Sequence, residues 1–318
     1  MTYRFDPELA PWVSMMPRLD ISDLAAARAA ASEFAGQAPP YQSPVPLTVD
    51  DRVVPGPEGA PDVAVRCYAP ADHSGPLPGL LYIHGGGFVV GSIDGEDARA
   101  RELAATAEAV VVSVEYRLAP EDPFPAGLND CYAALIYLSK NTAELGVDPT
   151  RMGVAGASAG GGLAAATALM ARDRGGPELC MQYLGIPELD DRLETGSMYA
   201  YTDTPVWNRP NAVLSWQYYL SGQQPTAYAA PARAEDLTGL PPAYVDVCEF
   251  DPLRDEGIGY AQRLVLAGVP VELHLYPGTF HGSSMIAGAA VAQRMSRDAS
   301  EAIRRLLQMK HEGRTDHD

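Results

Sequence analysis

Residues 154–163 read VAGASAGGGL, with a single serine, Ser158, flanked at two positions on either side by Gly156 and Gly160. The pattern G-x-S-x-G is short enough to arise by chance, so its surroundings must decide what it means. Before it lies MGVAGA (152–157), apolar enough for a buried strand, and after it AGGGLAAATALMA (159–171) reads as a helix. A strand–turn–helix junction this sharp strains the serine backbone and leaves no room for a side chain larger than hydrogen at 156 or 160. Ser158 then projects at the carboxyl edge of the sheet, where open α/β folds bind ligands. The helix starting at Ala159 aims free N–H groups and its positive dipole end at the same place. The plainer alternative is a serine N-cap, whose hydroxyl would satisfy one of those N–H groups.

Working outward, short β-branched runs alternate with helical patterns from about residue 60. Strands are predicted at 63–69, 79–84, 109–116, 152–157, 180–186, 243–250 and 271–277, and helices at 95–108, 126–140, 159–172, 256–267 and 287–309. Several strands are apolar almost throughout, as strands covered on both faces of a parallel sheet must be. The fold class expected is therefore α/β, with a mostly parallel, doubly wound sheet.

Two segments break the alternation. Residues 1 to about 45 carry an alanine-rich helix (22–35), capped by Ser22, and then APPYQSPVP; residues 188–230 interrupt two strands. All three tryptophans, Trp12, Trp207 and Trp216, fall in these segments, with Met15, Met16, Tyr199, Tyr201, Tyr218 and Tyr219. Rigid aromatics of this kind pack helical pieces together and also line apolar cavities. The expected organisation is an N-terminal cap segment (1–45) and a catalytic domain (46–318) with a cap insertion at about 188–230.

Composition narrows the function. The 318 residues are 47% hydrophobic and 20% charged, with a formal net charge of −18. That charge argues against nucleic acid and anionic membranes as partners. Lys140 and Lys310 are the only lysines. Cys67, Cys131, Cys180 and Cys248 are scattered with no C-x-x-C pair, so neither a zinc site nor a disulfide framework is expected. The start, MTYRFDPELAPW, lacks a signal-like apolar run, and no uncharged apolar stretch reaches the roughly 18 residues of a membrane span. The expectation is a cytoplasmic protein with no metal, no cofactor and no membrane partner, and a homodimer is open. The histidines of the tail HEGRTDHD carry no expected role.

A second loop bears on the chemistry. The strand GLLYIH runs into HGGGF (84–88), where three consecutive glycines leave backbone N–H groups accessible to charge developing on a carbonyl oxygen. GGGFVVG spaces its glycines one residue too far apart for a dinucleotide loop.

With HGGGF, YRLAPEDPFPA (116–126), GASAGGG (156–162), DPLRDEG (251–257) and a late FHG (280–282), the chain resembles the hormone-sensitive-lipase-like esterases of the α/β-hydrolase superfamily. These blocks occur in that family's order, from about residue 45 to the end, and the N-terminal segment plus insertion resembles its cap. The resemblance implies Ser158 as nucleophile, Asp251 as triad acid and His281 as base. It implies oxyanion donors at the amides of Gly86, Gly87 and Ala159, with Gly85 shaping the loop and His84 anchoring it. Arg117 is implied to be structural, paired with a carboxylate. Phe88, Trp207, Trp216, Met15 and Met16 are the expected pocket residues. Two departures stand out. Ala157 replaces the family's usual aspartate beside the nucleophile, which predicts a less ordered glycine loop. Ser283 stands where an aromatic is common, which predicts a wider pocket.

The residues support the acid and base independently. Asp251 follows a strand that Pro252 ends, whereas Asp246 and Glu249 lie within that strand and Asp255 and Glu256 open the next helix, where carboxylates suit the dipole. Among the histidines, His274 alternates within a strand and shares a face with Glu272, and His73 sits in a turn. Only His281 follows a strand near the expected site. The expectation is a serine carboxylesterase acting on small-molecule esters of short to medium acyl chain through an acyl-enzyme. Amidase, lactonase or thioesterase chemistry would use the same triad, and a non-catalytic receptor on this fold would not need His281.

Overall fold

In the computed structural model, which describes residues 3–16, 19–37 and 41–309, eight strands form one sheet. They are β1 (Leu47–Val54), β2 (Val63–Pro70), β3 (Leu77–Ile83), β4 (Val110–Val114), β5 (Val147–Ala157), β6 (Met181–Gly185), β7 (Ala243–Phe250) and β8 (Val271–Phe280). The helices are α1 (Leu24–Gln37), α2 (Asp97–Ala107), α3 (Ala126–Lys140), α4 (Thr142–Leu145), α5 (Ala159–Asp173), α6 (Gly196–Ala200), α7 (Arg209–Leu220), α8 (Arg254–Leu266) and α9 (Ala290–Gln308).

Alternation along the strands builds two cores. Leu81, Ile83, Val112, Val154 and Val245 face α3, α5 and α8, while Leu80, Tyr82, Val111, Ala155 and Tyr244 face α2 and α9. Strands buried on both faces explain why their sequences read as continuous apolar runs.

The sheet order is β1-β2-β4-β3-β5-β6-β7-β8, with β1/β2 and β2/β4 antiparallel and the remaining pairs parallel. From β3 the chain winds one way to β4, and from β5 the other way to β6. The winding therefore reverses between neighbours β3 and β5, and a crevice opens outside their carboxyl ends. The glycine loop leaves β3 there, and Ser158 leaves β5.

Three sequence readings need correction. β1 was not expected: it is an outer strand, mostly exposed, and Asp50, Asp51 and Arg52 hide its pattern. The helix of residues 22–35 begins later, and its cap is Asp23, whose Oδ1 accepts the Ala26 amide at 3.0 Å; Ser22 instead gives its own amide to Asp20. The fifth strand starts at Val147, five residues before the apolar run that betrayed it. Lys310 and the tail histidines His311 and His317 lie outside the described residues.

The two irregular segments meet. Leu19, Ile21, Leu24 and Ala27 pack with Trp207, Ala212, Leu214 and Tyr218 over Val89 and Val90 of the glycine loop. Asn211 locks the pairing: its Nδ2 donates to Leu19 O (2.6 Å) and its Oδ1 accepts from the Ile21 amide (3.4 Å).

Candidate active site

Ser158 occupies the turn between β5 and α5 with φ 60° and ψ −126°, a strained conformation for a side-chain-bearing residue. A Cβ at Gly160 would lie 2.2 Å from Ile83 O, and one at Gly156 would lie 2.2 Å from Gly160 O. Both contacts are with backbone, which cannot yield cheaply, so glycine is obligatory on each side. The Ser158 hydroxyl makes no capping bond to α5, which removes the N-cap reading.

That hydroxyl donates instead to His281 Nε2 at 3.0 Å, and His281 Nδ1 donates to Asp251 Oδ2 at 2.7 Å. The carboxylate can only accept here, so it fixes the imidazole tautomer with its lone pair facing the serine. Asp251 is almost completely buried, and its Oδ1 takes the Leu253 amide at 2.9 Å, which locks its rotamer. His281 follows β8 directly. Ser283 Oγ holds the start of its loop by accepting from Phe280 N and donating to Phe280 O. Ser283 is fully buried in that task, so the wider pocket expected from it is not what this residue produces.

The rival acids all have other work. Asp246 accepts from the Tyr183 hydroxyl, Glu249 from the Gly278 amide, Asp255 from the Ser197 amide and Glu256 from the Leu189 amide. His274 pairs with Glu272, and Arg117 makes a two-pronged pair with buried Asp130.

Opposite Ser158, Gly86 and Gly87 take positive φ values of 116° and 57°. A Cβ on Gly86 would strike Val90 O at 2.1 Å, and one on Gly87 would strike the Trp207 ring at 2.4 Å. The amides of Gly86 and Gly87 have no protein acceptor among the described residues, and Ala159, first in α5, has no intrahelical one. His84 is buried against Tyr116, with ring centroids 4.1 Å apart, and its Nδ1 donates to Gly85 O. Burial lowers its pKa to about 4, so it holds the loop as a neutral ring.

Every carbonyl from His84 to Val89 has a donor: the Tyr116 hydroxyl, His84 Nδ1, the Val89 and Val90 amides, Ser215 Oγ, the Ala119 amide and Arg28 Nε. The loop is thus ordered without an aspartate at 157, contrary to the expectation drawn from Ala157.

Of the five expected pocket residues, Trp207 comes closest to the chemistry. It is buried over Gly87, with its ring 6.0 Å from that of His281. Phe88 is buried and stacks on Tyr219 at 4.0 Å, with Trp216 beside both. Trp216 also borders a cleft of about 510 Å³ along α7, whose lining includes none of the triad. Met16 packs against the cluster that holds Phe280, whereas Met15 is 69% exposed. Sequence reading overlooked Glu188, Ser215, Tyr116 and Arg28. Glu188 alone carried a signal, as an acid set within the apolar stretch IPEL.

A strained serine, a histidine and a buried aspartate at the carboxyl edge of a doubly wound sheet define a serine hydrolase. A model of the alpha/beta hydrolase fold family matches residues 80–285. Carboxylesterase NlhH of Mycobacterium tuberculosis is 45% identical over 245 residues, 74% of this chain and 75% of its own. Esterase LipI of the same organism is 40% identical over 267 residues, covering 82% and 81%. Among solved structures, a bacterial heroin esterase is 50% identical with a TM-score of 0.92, covering 96% of this chain and 99% of its own. The chain belongs to this α/β-hydrolase family, in its hormone-sensitive-lipase-like branch. It is a carboxylic ester hydrolase with a Ser–Asp–His triad.

Proposed function

We propose that Ser158 is the nucleophile, His281 the general base and Asp251 its orienting acid in the hydrolysis of soluble esters of short to medium acyl chain. The observation that carries this is the unbroken relay from Ser158 Oγ through His281 to Asp251. His281 takes the serine proton as Oγ attacks the ester carbonyl, and Asp251 stabilises the imidazolium. The amides of Gly86, Gly87 and Ala159 receive the negative charge of the tetrahedral intermediate. His281 returns its proton to the departing alcohol, and water then cleaves the acyl-enzyme by the same steps.

The cap sets chain length. Trp207 and Phe88 bury apolar surface beside Ser158, so each methylene of an enclosed acyl arm adds up to ~0.8 kcal/mol, about fourfold in kcat/KM, until the space is filled. Residues 1–45 and 188–230 act together as that cap on a catalytic domain of 46–318; their joint packing supports the division. Across p-nitrophenyl esters, kcat/KM rises from acetate, peaks at short to medium chains and falls for long ones. Preference for long-chain emulsions overturns this reading.

The proposed assembly is a homodimer through the open edge of β8, where Leu273 and Leu275 are exposed. Sedimentation equilibrium at a monomer mass would contradict it. Four buried, unpaired cysteines support a reducing, cytoplasmic location, and no described helix is long and apolar enough to cross a membrane.

A further inference from the structure

Glu188 follows β6 in the apolar stretch IPEL and is completely buried. Its backbone touches the nucleophile: the Glu188 amide donates to Ser158 O at 3.0 Å, beside the Gly162 amide on the same oxygen. Its side chain reaches the other half of the site, where it faces Ser215 on α7. Neither carboxyl oxygen has a well-formed hydrogen bond to any described protein group. Ser215 supplies the reason. Its single hydroxyl hydrogen is committed to Gly87 O at 3.0 Å, so it turns a lone pair toward Glu188. A carboxylate meeting a lone pair is repelled, whereas a carboxylic acid donates to it.

The surroundings favour the acid form. Asp251 beyond β7, Glu256 on α8, Tyr219 on α7 and Tyr116 beyond β4 are the titratable groups that face Glu188, and none brings positive charge. Burial, the largest cause, pushes the Glu188 carboxyl up to about 8, and Asp251 adds to the rise. The Ser215 hydroxyl opposes it only to the extent that it turns its hydrogen from Gly87 O to Glu188.

We propose that Glu188 is a positioning residue: its protonated carboxyl donates to Ser215 Oγ, Ser215 donates to Gly87 O, and this relay fixes the peptide planes that aim the oxyanion amides. Glu188 thereby links the nucleophile elbow, through its backbone amide, to the cap helix and, through Ser215, to the glycine loop. It rests on the reading of Gly86 and Gly87 as oxyanion donors. Deprotonation above about pH 8 puts a carboxylate against the Ser215 lone pair, loosens the loop and lowers kcat while KM changes little.

The test is kcat and KM against pH, from 6 to 10, for the wild-type enzyme and the Glu188→Gln, Glu188→Ala and Ser215→Ala variants, with folding followed by circular dichroism. Glutamine keeps an N–H donor for Ser215 but cannot lose it in this range. The wild-type kcat falls above about pH 8, and Glu188→Gln lacks that fall. At pH 7 Glu188→Gln exceeds Glu188→Ala in kcat by roughly tenfold, and Glu188→Ala and Ser215→Ala lose similar amounts without adding when combined. The same alkaline fall in Glu188→Gln as in the wild type overturns the relay, whether or not the alanine variants fold. A phosphonate adduct of the wild type separates the two readings. A phosphonyl oxygen away from the Gly87 amide defeats the oxyanion assignment, while a correctly seated oxygen with an unchanged Gln profile defeats only the role of Glu188.

Discussion

The floor of the site and its roof are built by different means. The floor, at the ends of β3 and β5, is determined by backbone sterics: Gly156, Gly160, Gly86 and Gly87 sit where any Cβ would strike carbonyl oxygen or a tryptophan ring. The roof, from residues 19–27 and α7, is determined by side chains that meet from opposite ends of the chain, as Asn211 does with Leu19 and Ile21. Floor changes should therefore act on kcat, as should Ser215, which reaches down from α7 to Gly87 O; changes where the two pieces of the roof meet should act on stability and chain-length preference.

The largest effect belongs to Ser158→Ala. It should lower kcat by roughly 10⁴-fold or more while leaving the thermal midpoint nearly unchanged, because the hydroxyl bonds only His281. Substantial residual turnover, with no wild-type contamination, would move the nucleophile elsewhere.

Asp251→Asn should cost roughly 10⁴-fold, since an amide can hold the imidazole in the wrong tautomer. Asp255→Asn should stay within about threefold, because Asp255 bonds the Ser197 amide and Arg254 and not His281. Equal losses in two well-folded variants would break the assignment of the acid.

Asn211→Ala tests the roof. Cutting the tie to Leu19 and Ile21 should destabilise the fold by about 1–2 kcal/mol and flatten the acyl-chain profile. Lower stability with an unaltered profile would remove residues 19–27 from the cap. The smallest effect is Ala157→Asp, expected to change kcat by less than about twofold, since the carbonyls of residues 84–89 already have donors. A gain of tenfold would mean that the glycine loop needs ordering after all.

What the sequence disclosed follows the same division. Ser158, Asp251 and His281 were legible because each sits just past a strand, and strand ends announce themselves through apolar runs, glycine and proline. β1 escaped because an outer strand with Asp50, Asp51 and Arg52 in its middle buries little. Met15 was misjudged because apolar character alone does not say which side of a short helical turn meets the protein; it ends 69% exposed while Met16 packs inward. Ser215 was missed, and the signal in Glu188 passed over, because no local pattern brings the exit of β6 against α7.

The most direct test of the account is the structure of the enzyme inactivated by an alkyl p-nitrophenyl phosphonate. It should show phosphorus bonded to Ser158 Oγ, the phosphonyl oxygen within hydrogen-bond reach of the Gly86, Gly87 and Ala159 amides, and the alkyl arm beneath Trp207. Label on any other residue, or an oxygen turned away from those three amides, would contradict it.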